Sequence, residues 1–213
     1  MSPKILIAGQ EGMVGKAVYK LLKKKKFKII ECIRNELDFT SQQSVEKWFK
    51  KNKPDIVINA AGRVGGILDN FNFQSDYIYI NTMIGMNIVN CCLKFNVKKL
   101  INLGSSCIYP KKVKQPIKEN SLLSSSLEKT NEGYALSKIV TLKYCQYLKK
   151  KYKKNFISIQ PANLYGLGDN FNLKSCHVLP ALVKKFILAK KNNINSVEVW
   201  GTGNVKREFL NVE

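Results

Sequence analysis

The chain has 213 residues, 45 % hydrophobic and 24 % charged, with ten phenylalanines, nine tyrosines and two tryptophans. That supplies the core of one generous α/β domain, or of one domain with part of a second, and excludes intrinsic disorder and small disulfide scaffolds. Thirty-six basic residues against fifteen acidic ones give a net charge of +21, yet the lysine runs at 23–26 and 149–154 fall where helices are expected to end, so they read as solvated helix ends and not as a nucleic-acid surface.

Six cysteines without a Cys-x-x-Cys spacing and one histidine, His177, read as reduced thiols with no metal site. No apolar run approaches the roughly 18 residues of a membrane span, and none has the form of a signal segment. The expectation is a soluble, cytoplasmic protein with neither a membrane nor a nucleic-acid partner.

In chain order, the pattern predicts a strand at 4–8, a helix at 13–24, a strand at 28–33, a helix at 44–52 and a strand at 55–59. It continues with a helix at 80–96, a strand at 99–103, a helix at 131–150, a strand at 156–160, a helix at 179–191 and a strand at 197–200. The polar stretch 121–131 reads as a flexible loop. Strands separated by helices imply an α/β fold, a Rossmann-like doubly wound parallel sheet with ligands at the carboxyl ends of its strands. Residues 1–165 are expected to form the nucleotide-binding domain and 166–213 the start of a small substrate domain, apparently truncated, since 207–213 looks like the beginning of a further segment.

Three motifs carry chemistry. Gly9-Gln10-Glu11-Gly12-Met13-Val14-Gly15 sets three glycines between the first strand and the first helix, a turn through which backbone amides approach a pyrophosphate. The second strand runs into Arg34 where an NAD site usually offers an acid, which favours the 2′-phosphate of NADP. Tyr134 and Lys138 stand one helical turn apart, so a phenol and an ammonium share a face, and the cation is expected to lower the tyrosine pKa. After the fourth strand, Leu103-Gly104-Ser105-Ser106-Cys107-Ile108-Tyr109-Pro110 brings hydroxyls and a thiol to the ligand edge, with Ser105 able to hydrogen-bond a carbonyl.

Together with Asn59-Ala60-Ala61-Gly62, these motifs resemble the extended short-chain dehydrogenase/reductase family. Gly12-Met13-Val14-Gly15, Val64-Gly65-Gly66-Ile67, the Gly104 to Pro110 stretch, Asn163-Leu164-Tyr165-Gly166, Asp169-Asn170-Phe171, His177-Val178-Leu179-Pro180-Ala181-Leu182 and Arg207-Glu208-Phe209-Leu210 narrow it. In this order and over the whole chain they look like the GDP-L-fucose synthase family.

The resemblance implies NADPH-dependent 3,5-epimerisation and 4-reduction of GDP-4-dehydro-6-deoxy-D-mannose. Tyr134 would be the proton donor to the C4 oxygen, Lys138 its electrostatic partner and ribose ligand, Ser105 the carbonyl's hydrogen-bond donor, and Cys107 with His177 the epimerisation acid/base pair. Coenzyme contacts would come from Gly9, Gln10, Glu11, Gly12, Met13, Val14, Gly15, Arg34, Leu103, Gly104, Ser105, Ser106, Lys138, Pro161, Ala162, Asn163, Leu164 and His177. The nucleotide sugar would meet Lys185, Trp200 and Arg207.

Departures from the family pattern are Lys185 in place of an arginine, Gln10-Glu11 in place of a His-Arg pair, and a shortened loop after the second strand. The resemblance also implies a homodimer through the helices at 80–96 and 131–150. Competing expectations are an NAD-dependent nucleotide-sugar 4-epimerase or 4,6-dehydratase, which would not require Cys107 and His177, and a non-catalytic coenzyme- or polyanion-binding module.

Overall fold

A computed structural model describes residues 2–33 and 35–213. Strands β1 (Lys4–Ala8), β2 (Lys28–Ile30), β3 (Ile56–Asn59), β4 (Lys99–Leu103) and β5 (Asn155–Ile159) form one parallel sheet in the order β2-β1-β3-β4-β5. Helices α1 (Met13–Lys24), α2 (Gln42–Asn52), α4 (Gln74–Lys94) and α5 (Glu132–Tyr152) are the crossovers, and a short α3 (Ile67–Asn72) precedes α4. The doubly wound α/β fold is as the sequence predicts.

Apolar residues are buried on both faces, as a parallel sheet demands. Leu6, Val57, Leu100 and Phe156 pack with Phe49, Ile88, Val89 and the thiols of Cys91, Cys92 and Cys145. The lysine runs do close their helices: Lys23 and Lys24 stand in the last turn of α1 and Lys149, Lys150 and Lys151 in that of α5. At the carboxyl edge, Asn59, Asn102 and Ser158 share one register across β3, β4 and β5. Asn59 Nδ2 donates to Asn102 Oδ1 at 2.9 Å and Asn102 Nδ2 to Ser158 Oγ at 3.2 Å, a polar rung that ties the strands together where the ligand-facing loops depart.

Helices α4 and α5 lie against one another at Gly85, where an added Cβ would fall 2.1 Å from Thr141 Oγ1. Gln74 pins the beginning of α5: its Oε1 accepts from Gly133 N at 3.1 Å and its Nε2 donates to Lys129 O at 2.9 Å.

Four sequence expectations need correction. The second strand ends at Ile30. Helix α4 begins at Gln74, six residues before the expected 80; Phe71, Phe73, Tyr77, Ile78 and Tyr79 obscure a helical period, because aromatic and β-branched residues favour strands. The 121–131 stretch is not loose: Leu127 is buried with Ile108, Ala135, Ile139 and Leu142, and Lys111 pairs with Glu128 at 2.8 Å.

Residues 197–200, finally, form no strand; they are tethered by Lys185 Nζ, which donates to Glu198 O at 3.0 Å. Instead β6 (Asn163–Tyr165) pairs in parallel with β7 (Phe209–Asn211), and α6 (Val178–Lys191) lies between them in sequence. Among the described residues, no helix is long and apolar enough to cross a membrane.

Candidate active site

The turn after β1 is shaped by what glycine lacks. Gly9 has φ +80°, and a Cβ there would fall 2.7 Å from the backbone of Ala61, while one at Gly15 would fall 2.1 Å from Gly9 O. Gly12 caps α1 in an extended conformation and donates to Gly9 O at 3.0 Å. No acid stands in the first turn of α1, the nearest being Glu11 just before its cap, and the positive end of the helix dipole faces the turn. Side chains at Gly9 and Gly15 would close this cradle, and its amides fit the pyrophosphate of a dinucleotide. Arg34 lies outside the described residues; nearby Glu31 accepts from Tyr19 Oη at 2.7 Å.

Beyond β4 the chain turns sharply. Gly104 N donates to Ile159 O at 2.8 Å, Ser105 N to Gln160 Oε1 at 2.8 Å, and Cys107 N to Ser105 Oγ at 3.2 Å, opening a single 3-10 turn at Ser106–Ile108. Ser105 and Cys107 are thereby presented beside Gln160, just past β5. Gln160 fills the space over Gly104, where a Cβ would fall 1.9 Å from Gln160 Oε1.

Helix α5 brings Tyr134 and Lys138 to the same edge. Lys138 is 9 % exposed and donates from Nζ to Leu103 O at 3.2 Å, and its nitrogen stands 5.6 Å from the centre of the Tyr134 ring. Burial lowers the Lys138 amine to about 8. The Tyr134 hydroxyl, in contact with Ser105, is raised above the ordinary phenol range, chiefly by burial and then by the nearby Cys107, with the Ser105 hydrogen bond opposing. The shift thus runs opposite to the expected lowering of the tyrosine by lysine. The ammonium lies over the ring and is spent on a carbonyl, so it does not offset desolvation of the phenolate.

Several neighbours of this cluster escape sequence reading. Asn131 donates from Nδ2 to Cys107 Sγ at 3.2 Å. Tyr77, fully buried, meets Tyr134 edge-on at 6.1 Å between ring centres and donates a hydrogen bond to Asp69. Arg63 lies over the Tyr77 ring at 4.7 Å and pairs with Asp76 at 2.8 Å. Gln160 and Asn131 signal themselves only as polar residues beside a motif, and Tyr77 as an aromatic without a clear period.

His177 caps α6. The loop before it is held against Val64-Gly65-Gly66-Ile67: Gly66 N donates to Ser175 O at 2.8 Å, and a Cβ on Gly66 would fall 2.1 Å from Cys176 O. His177 is exposed overall, yet desolvation of its ring lowers its pKa below the usual imidazole value, with Asp169 pulling the other way. Lys185 and Trp200 meet each other, the Lys185 nitrogen standing 5.4 Å from the Trp200 ring, whereas Arg207 donates to Lys206 O at 2.9 Å.

A parallel sheet, a glycine turn after its first strand and a tyrosine–lysine helix over its carboxyl edge define a dinucleotide-dependent α/β protein of the short-chain type. The chain belongs to the NAD dependent epimerase/dehydratase family, which it matches over residues 5–213. It is 46 % identical to a GDP-L-fucose synthase of Sinorhizobium fredii over 207 residues, 97 % of this chain and 66 % of that protein. It is 42 % identical to the GDP-L-fucose synthase of Escherichia coli, covering 99 % of this chain and 66 % of that protein.

Among solved structures, a GDP-L-fucose synthetase from Naegleria fowleri bound to NADP superposes with a TM-score of 0.87 at 32 % identity, over 99 % of this chain and 72 % of that one. The motif resemblance thus extends along the chain, which spans about two thirds of the length of the two curated relatives, 66 % in each case.

Proposed function

We propose that this chain carries the coenzyme-binding and reacting groups of a GDP-L-fucose synthase, which converts GDP-4-dehydro-6-deoxy-D-mannose to GDP-L-fucose with NADPH. The observation that carries the reading is the meeting of Ser105, Cys107, Tyr134 and Lys138 at the carboxyl edge of β4. The identities to named GDP-L-fucose synthases support it.

Epimerisation comes first. The C4 ketone acidifies the protons on C3 and C5, and Cys107 and His177 remove and return them; desolvation holds the His177 imidazole below its usual pKa. Reduction follows at C4. Ser105 Oγ holds the C4 oxygen by a hydrogen bond, and Tyr134 donates a proton to it. A raised phenol pKa keeps that donor protonated until negative charge develops on the oxygen.

The bound coenzyme supplies the hydride to C4. It would be held by residues 9–15, 103–106, 161–164, Lys138 and His177, with Arg34 on the 2′-phosphate. Lys185, Trp200 and Arg207 would take the GDP portion. Residues 1–165 then form the coenzyme domain and 166–213 belong to the substrate domain. Exposed Tyr79, Val140 and Tyr147 on α4 and α5 offer the face for a homodimer.

The test is coenzyme oxidation, followed by the loss of reduced-nicotinamide absorbance, with GDP-4-dehydro-6-deoxy-D-mannose and NMR identification of the product. GDP-L-fucose is expected. Tight NADPH binding with a 4-reduced sugar that is not epimerised would defeat the epimerase half of the reading, and no NADPH binding would defeat the whole.

A further inference from the structure

Asn131 stands at the N-cap of α5, where an asparagine side chain ordinarily accepts a hydrogen bond from an amide of the first turn. It makes no such bond. Its Nδ2 donates instead to Cys107 Sγ at 3.2 Å, while its Oδ1 is buried with no hydrogen-bond partner among the described residues. A helix cap and a carbonyl hydrogen bond are both forgone for one contact to sulfur, and neither omission is neutral in a folded protein.

The surroundings fix that contact from both sides. Asn131 ends a 3-10 turn, Lys129–Asn131, in which Thr130 N donates to Glu128 Oε1 at 3.3 Å and Asn131 N to Glu128 O at 3.2 Å. Lys129 O is held by Gln74 at 2.9 Å. Opposite, the Cys107 backbone is held to Ser105 Oγ. An amide donor aimed at sulfur favours thiolate over thiol, because the anion is much the stronger acceptor.

We infer that Asn131 is a positioning residue: it gives up capping α5 in order to hold Cys107 Sγ in place for proton exchange with the sugar. This rests on the reading of Cys107 as an epimerisation group.

The test uses the whole chain with Asn131→Ser and Asn131→Asp. Both replacements are good N-caps, and neither brings an amide donor to the sulfur: aspartate carries none and the serine hydroxyl ends one bond short. The probe is iodoacetamide in the absence of substrate, with Cys107→Ser supplying the background from the other five cysteines, all buried. Alkylation is expected to fall about tenfold in both variants while NADPH affinity stays at the parent value.

An unchanged alkylation rate, or a loss accompanied by weakened NADPH binding and so reporting a disturbed site, overturns the inference. With the sugar nucleotide present, deuterium uptake at C3 and C5 is expected to fall about tenfold as well. Alkylation needs no substrate, so a parent protein that makes no GDP-L-fucose fails the functional reading without touching the alkylation result.

Discussion

The sheet and the C-terminal stretch treat their apolar residues in opposite ways. Leu6, Ile7 and Ala8 on β1 and Leu100 on β4 are 0 % exposed, whereas Phe186 and Ile187 on α6 are 55 % and 61 % exposed and Trp200 and Val205 beyond it 62 % and 63 %. Ser105, Cys107, Tyr134 and Lys138 hang from the first kind of structure, so a dense core fixes their spacing. Lys185 and Trp200 hang from the second, where large apolar side chains stand open to solvent. The proposed reaction geometry and the proposed nucleotide-sugar contacts thus rest on different supports within one chain.

The largest expected effect separates chemistry from folding within the ordered region. Tyr134→Phe should lower the rate of ketone reduction by about a hundred- to ten-thousandfold, the usual worth of a proton donor. NADPH affinity, read by fluorescence titration, should barely change; a comparable loss of binding would mean that Tyr134 supports the fold of the site.

Core truncation comes next. Phe49→Ala, at a fully buried position, should cost about 3 to 5 kcal/mol in urea denaturation. An effect below 1 kcal/mol would erase the contrast between the two regions.

A third experiment probes Lys138 through pH. Its amine sits near 8 in the fold against an ordinary 10.5, so between those values the unfolded chain holds a proton that the native protein lacks. Unfolding then takes up a proton and stability rises with pH across this window; below it, the fold bears the cost of a buried ammonium. At most roughly 3 kcal/mol is involved, from about 1.4 kcal/mol per pH unit. Stability of the parent relative to Lys138→Met, followed by urea midpoints, should climb from pH 8 towards 10.5; a flat difference would contradict the burial effect.

The smallest effect belongs to Phe186→Ala, which should alter stability by no more than about 0.5 kcal/mol as an exposed substitution. A larger loss in the same titration would show that α6 is covered in solution.

What could be read from the sequence was local. Gly9, Gly12 and Gly15 after a strand, Ser105 after another, and Tyr134 with Lys138 on one helical face are patterns of a few consecutive residues whose geometry follows from backbone periodicity. The pairing of β6 with β7 joins segments of three residues across the whole of α6, and segments that short carry no alternation to detect. Asn131 and Gln160 act through side-chain bonds between elements, which spacing does not encode. The direction of the Tyr134 shift escapes the sequence for a related reason: helical spacing brings two side chains together but does not say whether the ammonium meets the hydroxyl or the ring.

Gly85 belongs to none of the motifs at the sheet's carboxyl edge, yet with Thr141 facing it it governs how closely the helix bearing Tyr134 and Lys138 can lie. A larger residue there would press α5 outward, and a random mutagenesis screen for the proposed activity would therefore score position 85 beside the reacting residues. For anyone wishing to tune the proposed reaction without touching its chemistry, that hidden fulcrum is the place to begin.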